Sequence, residues 1–529
     1  MTHLLMLLFS ASVVAATPHW PRTSAEESGY RATMRHADVV AFADRLADLS
    51  PLVTRTSMGR SFEGRDLPLL IVADPPVSTP EQATASGKLV IYLQGNIHAG
   101  EVCGKEALLM FARDLASAPD APENRRLLER AIFLIAPIYN ADGNERVSAD
   151  NRPGQVGPEL GMGQRPNAQG LDLNRDHVKL ESPEARALVR LLTAWNPHLT
   201  IDTHTTNGSH HRYTLTYEAP LNPSGHAGPI GFARDSMLPE VSRRLEARTG
   251  YRTFFYGNFD RAHSAWYTYS ADPRFGTPYR GLRNRLSILS EAYAYAPYQD
   301  RVLCTLEFVR ECTAFVCERA DEVKRLLDEA EQDTVRAGQA IDPEDQVGIR
   351  FEFAAFDEPV DVLGYEMEFV DGRRPTPTDV LKTWRVPHYG RFAPTRSVVR
   401  PLGYIVPSEL TEVARNLHDH GILIHRLDHD AAFEGEAASI DSIERAERTF
   451  QGHRLVSVET TSRAGRMEAG EGDLFVPTAQ PLGNLVVLLL EPESQDGLTT
   501  WGFVDGWLEE GAEHPVVRVM SPLREPEEE

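Results

Sequence analysis

In the stretch GNIHAGE, residues 95–101, an imidazole at His98 and a carboxylate at Glu101 stand three residues apart. Both groups are ligands for zinc. Of the 18 histidines only His98 has a glutamate at the third position after it, so abundance does not explain the spacing. A second histidine, His204, closes the strand-like segment HLTIDTHTTNG, 103 residues after Glu101. Taken singly, these residues read as solvated loop side chains or as a core histidine capping its strand. Taken together, two ligands from one short loop and a third from a distant strand end form a three-ligand zinc site. Such a site keeps a coordination position for water, which separates a catalytic zinc from a structural one. The expectation is one Zn2+ per chain on His98, Glu101 and His204.

The elements that must position these residues alternate between strand and helix. HADVVAFADRLADL has helical apolar spacing, and LPLLIVAD (67–74) reads as a strand after the turn-rich MGRSFEGRD. KLVIYL leads into the His98 loop, the helix GKEALLMFARDLA follows, and RAIFLIAPIYN is the next strand. A loop of about thirty residues (141–170), rich in Gly, Pro and Asn, is long enough to be either functional or disordered. The helix SPEARALVRLLTAW then precedes the strand PHLTIDTHT. This alternation predicts an α/β domain with a mixed, largely parallel sheet flanked by helices, whose sites collect at the carboxyl ends of strands. The character changes near residue 340. GIRFEF, YEMEFV, HRLVSVETT, GDLFVPT and NLVVLLLEP read as strands, with VVLLL (486–490) a buried strand by length, and GYIVPSELTEVARNLHDHGILIHRL as strand, helix, strand. The expected organisation is a signal peptide at 1–16, a catalytic-type domain at 17–340 and a β-rich C-terminal domain at 345–529.

Residues of about 25 to 330 resemble the zinc carboxypeptidases of the carboxypeptidase A-like fold. Six motifs carry the resemblance in order: MGRSFEGRDLPLLIVA, GNIHAGE, YNADGNE with Ala141 in place of the usual proline, GLDLNRD, IDTHT and LSILSEAYAY. The resemblance implies a metal-dependent peptidase that removes C-terminal residues, with Glu291 of LSILSE as catalytic glutamate. The chemistry needs such a base, since a water activated by zinc still has to lose its proton and the leaving amine to gain one. Burial among apolar residues suits Glu291 to that task by raising its pKa. Arg165, nine residues before Asn174, falls at the family's oxyanion-stabilising position, with Arg152 of NRPG as competitor. Asn174 and Arg175 correspond to the clamp on the substrate's terminal carboxylate, which a planar guanidinium binds through paired hydrogen bonds. Asp172 is placed to accept from the free nitrogen of His98. Tyr267, Tyr269 and Tyr279 all stand near the family's mobile tyrosine. Asp176 follows Arg175 where many members have Asn, either to favour an end group bearing an amine or to cap the next helix. His210 and His211 follow His204 too closely to make a simpler metal set, and are read as cleft-lining or facing water.

Composition bounds the rest. The 529 residues suggest roughly two to four domains, and 41% hydrophobic with 25% charged residues is the make-up of a globular chain. A net charge of −23 argues against binding a nucleic-acid backbone. LLMLLFSASVVAA (4–16) resembles a signal peptide without the usual basic start, and no other run is long enough to span a membrane. An exported protein, periplasmic or secreted and without membrane insertion after signal removal, is expected. Cys103, Cys304, Cys312 and Cys317 match no metal pattern; the last three share the helical segment RVLCTLEFVRECTAFVCERADEVKRLL, so buried free thiols are expected. The substrate is a peptide, or an N-acyl amino acid or cell-wall peptide if the chain is instead a deacylase or amidohydrolase of the same superfamily. A third reading is a non-catalytic binding protein on a peptidase fold, against which the retention of Glu291 with all three ligands argues. A serine hydrolase lacks its Gly-x-Ser-x-Gly, and phosphate-cradling glycine loops are absent. Oligomeric state is left open.

Overall fold

A computed structural model describes residues 19–369 and 375–524. The run read as a signal peptide (4–16) and residues 525–529 of the acidic tail lie outside them.

The central sheet takes eight strands: β1 (Val53–Arg60), β2 (Asp66–Val72), β3 (Leu89–Gly95), β4 (Ala131–Ala136), β5 (Leu199–Thr206), β6 (Leu215–Glu218), β7 (Thr253–Phe255) and β8 (Leu286–Tyr293). Their spatial order is β1-β2-β4-β3-β5-β8-β6-β7. Strands β4, β3, β5 and β8 run parallel to their neighbours, β1–β2, β2–β4 and β8–β6 pair antiparallel, and β6–β7 is parallel. The predicted mixed, largely parallel α/β sheet is present. Alternation along each strand sends its residues to two cores. Leu89, Ile91 and Leu93 of β3 face one core, with α1 (Cys103–Ser117) and α3 (Tyr298–Glu318), whereas Val90 and Tyr92 face the other, with α2 (Pro183–Trp195).

Helix α3 ends at Glu318 and α4 (Ala320–Ala337) begins after Arg319, so the predicted single helical segment is two. All four cysteines are buried and free. From Gln346 onward strands dominate. Gln346–Ala354 pairs with Arg391–Val399, Val360–Glu368 with Thr376–Val386, and a six-stranded sheet includes Gly403–Val406 and the long pair Ala431–Arg445 and Val456–Ala469. The strand–helix–strand unit holds, with α5 (Thr411–Asp419) between Gly403–Val406 and His425–Arg426. One expectation fails. VVLLL is not a strand but part of α6 (Gly483–Leu490), in which all eight residues are buried. An apolar run without a polar face carries no period, so its length alone misdirected the assignment.

The C-terminal region covers the second face of the central sheet. Leu485–Leu490, Val413, Leu417, Val347, Ile349 and Trp501 belong to the same core as Leu69, Ile71, Val90, Tyr92, Ile132 and Leu134. Strand His388–Tyr389 also pairs with Trp266–Tyr267. No helix of the described residues is long and apolar enough to cross a membrane.

Candidate metal centre and cleft

The site forms at the carboxyl ends of β3, β5 and β8. After β3 the chain turns through Asn96, whose φ of +64° suits asparagine, and Asn96 Nδ2 donates to Ala99 O at 3.2 Å. Asn140 of the YNADGNE motif supports this loop and the next. Its Oδ1 accepts from Gly143 N, and its Nδ2 donates to Ile97 O and Arg165 O. Asp142 of the same motif accepts from Ser61 Oγ, Glu63 N and Arg65, so the early hairpin is tied to the site too. Helix α1 starts directly behind the loop. A Cβ on Gly104 would stand 1.9 Å from Thr203 Oγ1, so glycine is what lets the helix reach β5.

This packing brings His98, Glu101 and His204 together, all buried, with ligand atoms within 4.8 Å of one another. His98 Nδ1 is 3.1 Å from Glu101 Oε1, and His204 Nδ1 is 3.0 Å from Glu101 Oε2 and 3.3 Å from His98 Nδ1. The outward nitrogens meet acids: His98 Nε2 lies 2.9 Å from Asp172 Oδ1, and His204 Nε2 3.4 Å from Asp202 Oδ2. A ring whose outer nitrogen faces a carboxylate presents a fixed lone pair inward, the arrangement that metal-binding histidines use. These residues fit a zinc ion.

Electrostatics agree. Burial disfavours ionisation of Glu101, but His98, Arg152 and His204 outweigh it and hold the carboxyl well below the usual range. Burial likewise opposes charge on His204, yet Asp202 and Glu101 raise its pKa well above that of free imidazole. The surrounding carboxylates thus favour positive charge at this point, which a cation held by the three ligands would supply. Asp202 was missed in the sequence. Its signal is the two-residue spacing Asp202–His204, which puts both on one face of β5.

Glu291 lies opposite His204 in the parallel β5–β8 pairing and lines the same cavity, whose volume is about 160 Å³. Its Oε2 is buried without a hydrogen-bond partner. Burial pushes the Glu291 carboxyl up to about 8, with Glu101 adding to the rise and His204, Arg152 and Arg165 opposing it. The long loop 141–170 brings both candidate arginines to the cavity. Arg152 is engaged at both ends, with Glu101 Oε1 at 2.8 Å and Thr205 O at 2.7 Å. Arg165 pairs with Asp172 at 2.8 Å and keeps Nη1 3.7 Å from Glu101.

Asn174 and Arg175 line the same cavity. The Arg175 guanidinium lies 3.9 Å from the centre of the Phe275 ring. Among the tyrosines Tyr269 faces the cavity, together with Tyr256, which the sequence reading did not single out. Tyr267 stacks on Tyr389, and Tyr279 is buried with its hydroxyl against His420. Asp176 does not face the cleft: it is buried and accepts from Lys179 Nζ, Glu181 N and Ser182 N, fixing the turn before α2. His211 packs on Tyr293 and His210 stacks on Tyr295.

Residues 39–272 match the family model described as zinc carboxypeptidase. Over these residues the chain matches a zinc carboxypeptidase domain. Among curated relatives, the chain is 22% identical over 476 residues to Carboxypeptidase 2 of Trichophyton tonsurans, covering 87% of this chain and 81% of that protein. That alignment is too long to stop at residue 345, so the likeness runs on into the C-terminal region. Carboxypeptidase Z of Homo sapiens is 36% identical over 172 residues, 32% of this chain and 25% of that one. A solved metallo-carboxypeptidase from Burkholderia cenocepacia shares 19% identity at a TM-score of 0.40, covering 54% of this chain and 69% of the other.

The carboxylate behind His204 gives a first expected result. Asp202→Asn keeps the shape but loses the charge, and should weaken zinc binding by about 10–100-fold in chelator competition. Unchanged zinc affinity would mean that Asp202 serves only to neutralise Arg280, 3.3 Å away.

Proposed function

We propose that the protein is an exported metallocarboxypeptidase that hydrolyses the C-terminal peptide bond of peptide substrates, with one zinc held by His98, Glu101 and His204. The observation that carries this reading is that Arg175 and Asn174 face the same small cavity as the three ligands and Glu291. When bound, zinc supplies Lewis-acid polarisation of the scissile carbonyl and a water whose pKa is lowered to about 7. Glu291 takes the proton from the attacking water and returns it to the departing amine. Its raised pKa suits both transfers, because a base near neutrality can accept and then release a proton.

Arg165 stabilises the negative charge that develops on the carbonyl oxygen. Both arginines meet acids of the site, but the Arg165 side chain is 44% exposed against 13% for Arg152, which supports Arg165 as the one with room for a further partner. Asn174 and Arg175 hold the terminal carboxylate, and the Phe275 ring, 3.9 Å from the guanidinium, braces it. Tyr269 and Tyr256 complete the lining. The organisation that goes with this function is a catalytic domain at 17–340 followed by a β-rich domain at 345–529. The export signal at 1–16 completes it.

A free-acid peptide should therefore be cleaved about 10²-fold or more better than its C-terminal amide, because the amide loses a charged hydrogen-bonded pair and leaves Arg175 unpaired. Arg175→Ala should erase most of that preference without changing zinc content. The measurement is kcat/KM for matched acid and amide peptides on both proteins. Equal values on the wild type would refute the clamp and favour the deacylase reading.

A further inference from the structure

Both segments that carry the carboxylate clamp are fastened to the C-terminal region. One fastening is at the turn joining strands Ala431–Arg445 and Val456–Ala469, where Phe450 N donates to His453 O at 2.7 Å and His453 N to Phe450 O at 3.0 Å. At its tip Gln451 has a φ of +50°, a conformation that a residue with a side chain seldom adopts. From there its Oε1 accepts from the backbone N–H of Asp172 at 2.7 Å. Asp172 is the hub of the site. Its Oδ1 faces His98 Nε2 and accepts from Asn174 N, and its Oδ2 pairs with Arg165.

The second fastening is Asp496. Its Oδ2 accepts from Arg274 N at 2.7 Å and its Oδ1 lies 2.8 Å from Arg274 Nε, while Trp501 Nε1 donates to it at 2.8 Å. The next two residues, Phe275 and Gly276, are the seat of the clamp. Phe275 lies under Arg175, and Gly276 N donates to Asn174 Oδ1 at 2.8 Å. The two halves of the clamp thus touch each other in the cleft and are each fastened from behind.

We infer that Gln451 is a positioning residue of the active site: it fixes the Asp172–Arg175 turn from the C-terminal region, and so sets the carboxylate clamp and the orientation of His98. The part that concerns the clamp rests on the function proposed above. Asp172 is buried, so its N–H has no ready substitute for the Gln451 oxygen. A turn released at that point moves Asn174 and Arg175 relative to Phe275, which Asp496 holds in place.

The test uses two side chains of similar length on the full, zinc-loaded chain. Gln451→Met removes the acceptor; Gln451→Glu keeps an oxygen in reach of Asp172 N. For Gln451→Met, KM for a free-acid peptide should rise about tenfold, the loss expected when a buried donor goes unpaired, with a much smaller change in kcat. Zinc release to a chelator should quicken several-fold, and Tm should move by no more than about 2 °C. Gln451→Glu should return KM and zinc release to near the wild-type values. Either effect, if restored by Gln451→Glu, supports the assignment. It is overturned if Gln451→Met matches the wild type in both measurements, or if Gln451→Glu is as impaired as Gln451→Met. A wild type that does not prefer acids over amides would defeat the clamp reading instead, and zinc release then still decides whether Gln451 positions Asp172.

Discussion

The His204→Ala protein should emerge from purification with almost no zinc, against about one ion per chain in the wild type. Catalytic zinc sites use three protein ligands and leave the fourth position to water, so losing one leaves only two protein bonds to hold the ion. Removing His204 also leaves Glu101 facing His98, Arg152, Arg165 and the Thr205 N–H, and Asp202 facing its arginine and amide neighbours. His98→Ala and Glu101→Ala should behave alike. Metal analysis of the folded protein, with circular dichroism to confirm the fold, reads the result directly. Stoichiometric zinc in the His204→Ala protein would sink the assignment of the ligand set.

Glu291→Gln should separate metal from turnover. Glutamine is nearly isosteric and lies outside the three-ligand set, so zinc content and Tm should stay close to wild type. It cannot accept the water's proton, and kcat should fall by at least the ~10²-fold typical of a lost general base. The buried, unpartnered Oε2 sharpens this expectation, because no neighbouring hydrogen bond makes that oxygen necessary to the fold. Wild-type rates in the variant would move the base elsewhere.

Much of the site was legible because it is built from short local turns. His98 and Glu101 belong to one loop, and Asp172, Asn174 and Arg175 to another, so each group's spacing carries its geometry. His204 and Glu291 were legible only as strand ends. That β5 and β8 are neighbours, which sets those two residues side by side, depends on strand order and cannot be read from a linear chain. The tyrosines show the same limit. Tyr267 and Tyr269 are two residues apart, a spacing that would put both on one face of an extended strand, and only the packed structure tells that the first turns to Tyr389 and the second to the cleft. Asp176 had two local readings, and burial against Lys179 and the start of α2 decided for the turn.

In the C-terminal region the local signals served the strands and failed for α6. Its residues Gly483–Leu490 are buried on every side, so no polar face marks a helical period. Gln451 had no signal at all, since its partner lies 279 residues away and the bond is to a backbone amide.

The core that runs without a break from Tyr92 and Leu134 into Leu485–Leu490 and Trp501 has a consequence for how such a chain can evolve. Modules that are shuffled between genes need a seam, a surface that stays soluble when the partner is exchanged. Here the sheet's second face is shared between α2 and residues such as Leu485–Leu490 and Trp501, encoded more than 300 positions after Tyr92 and Leu134. A recombination event that gave this chain a different tail would uncover the part of that apolar face which α2 does not reach, which favours inheritance of both segments as one unit.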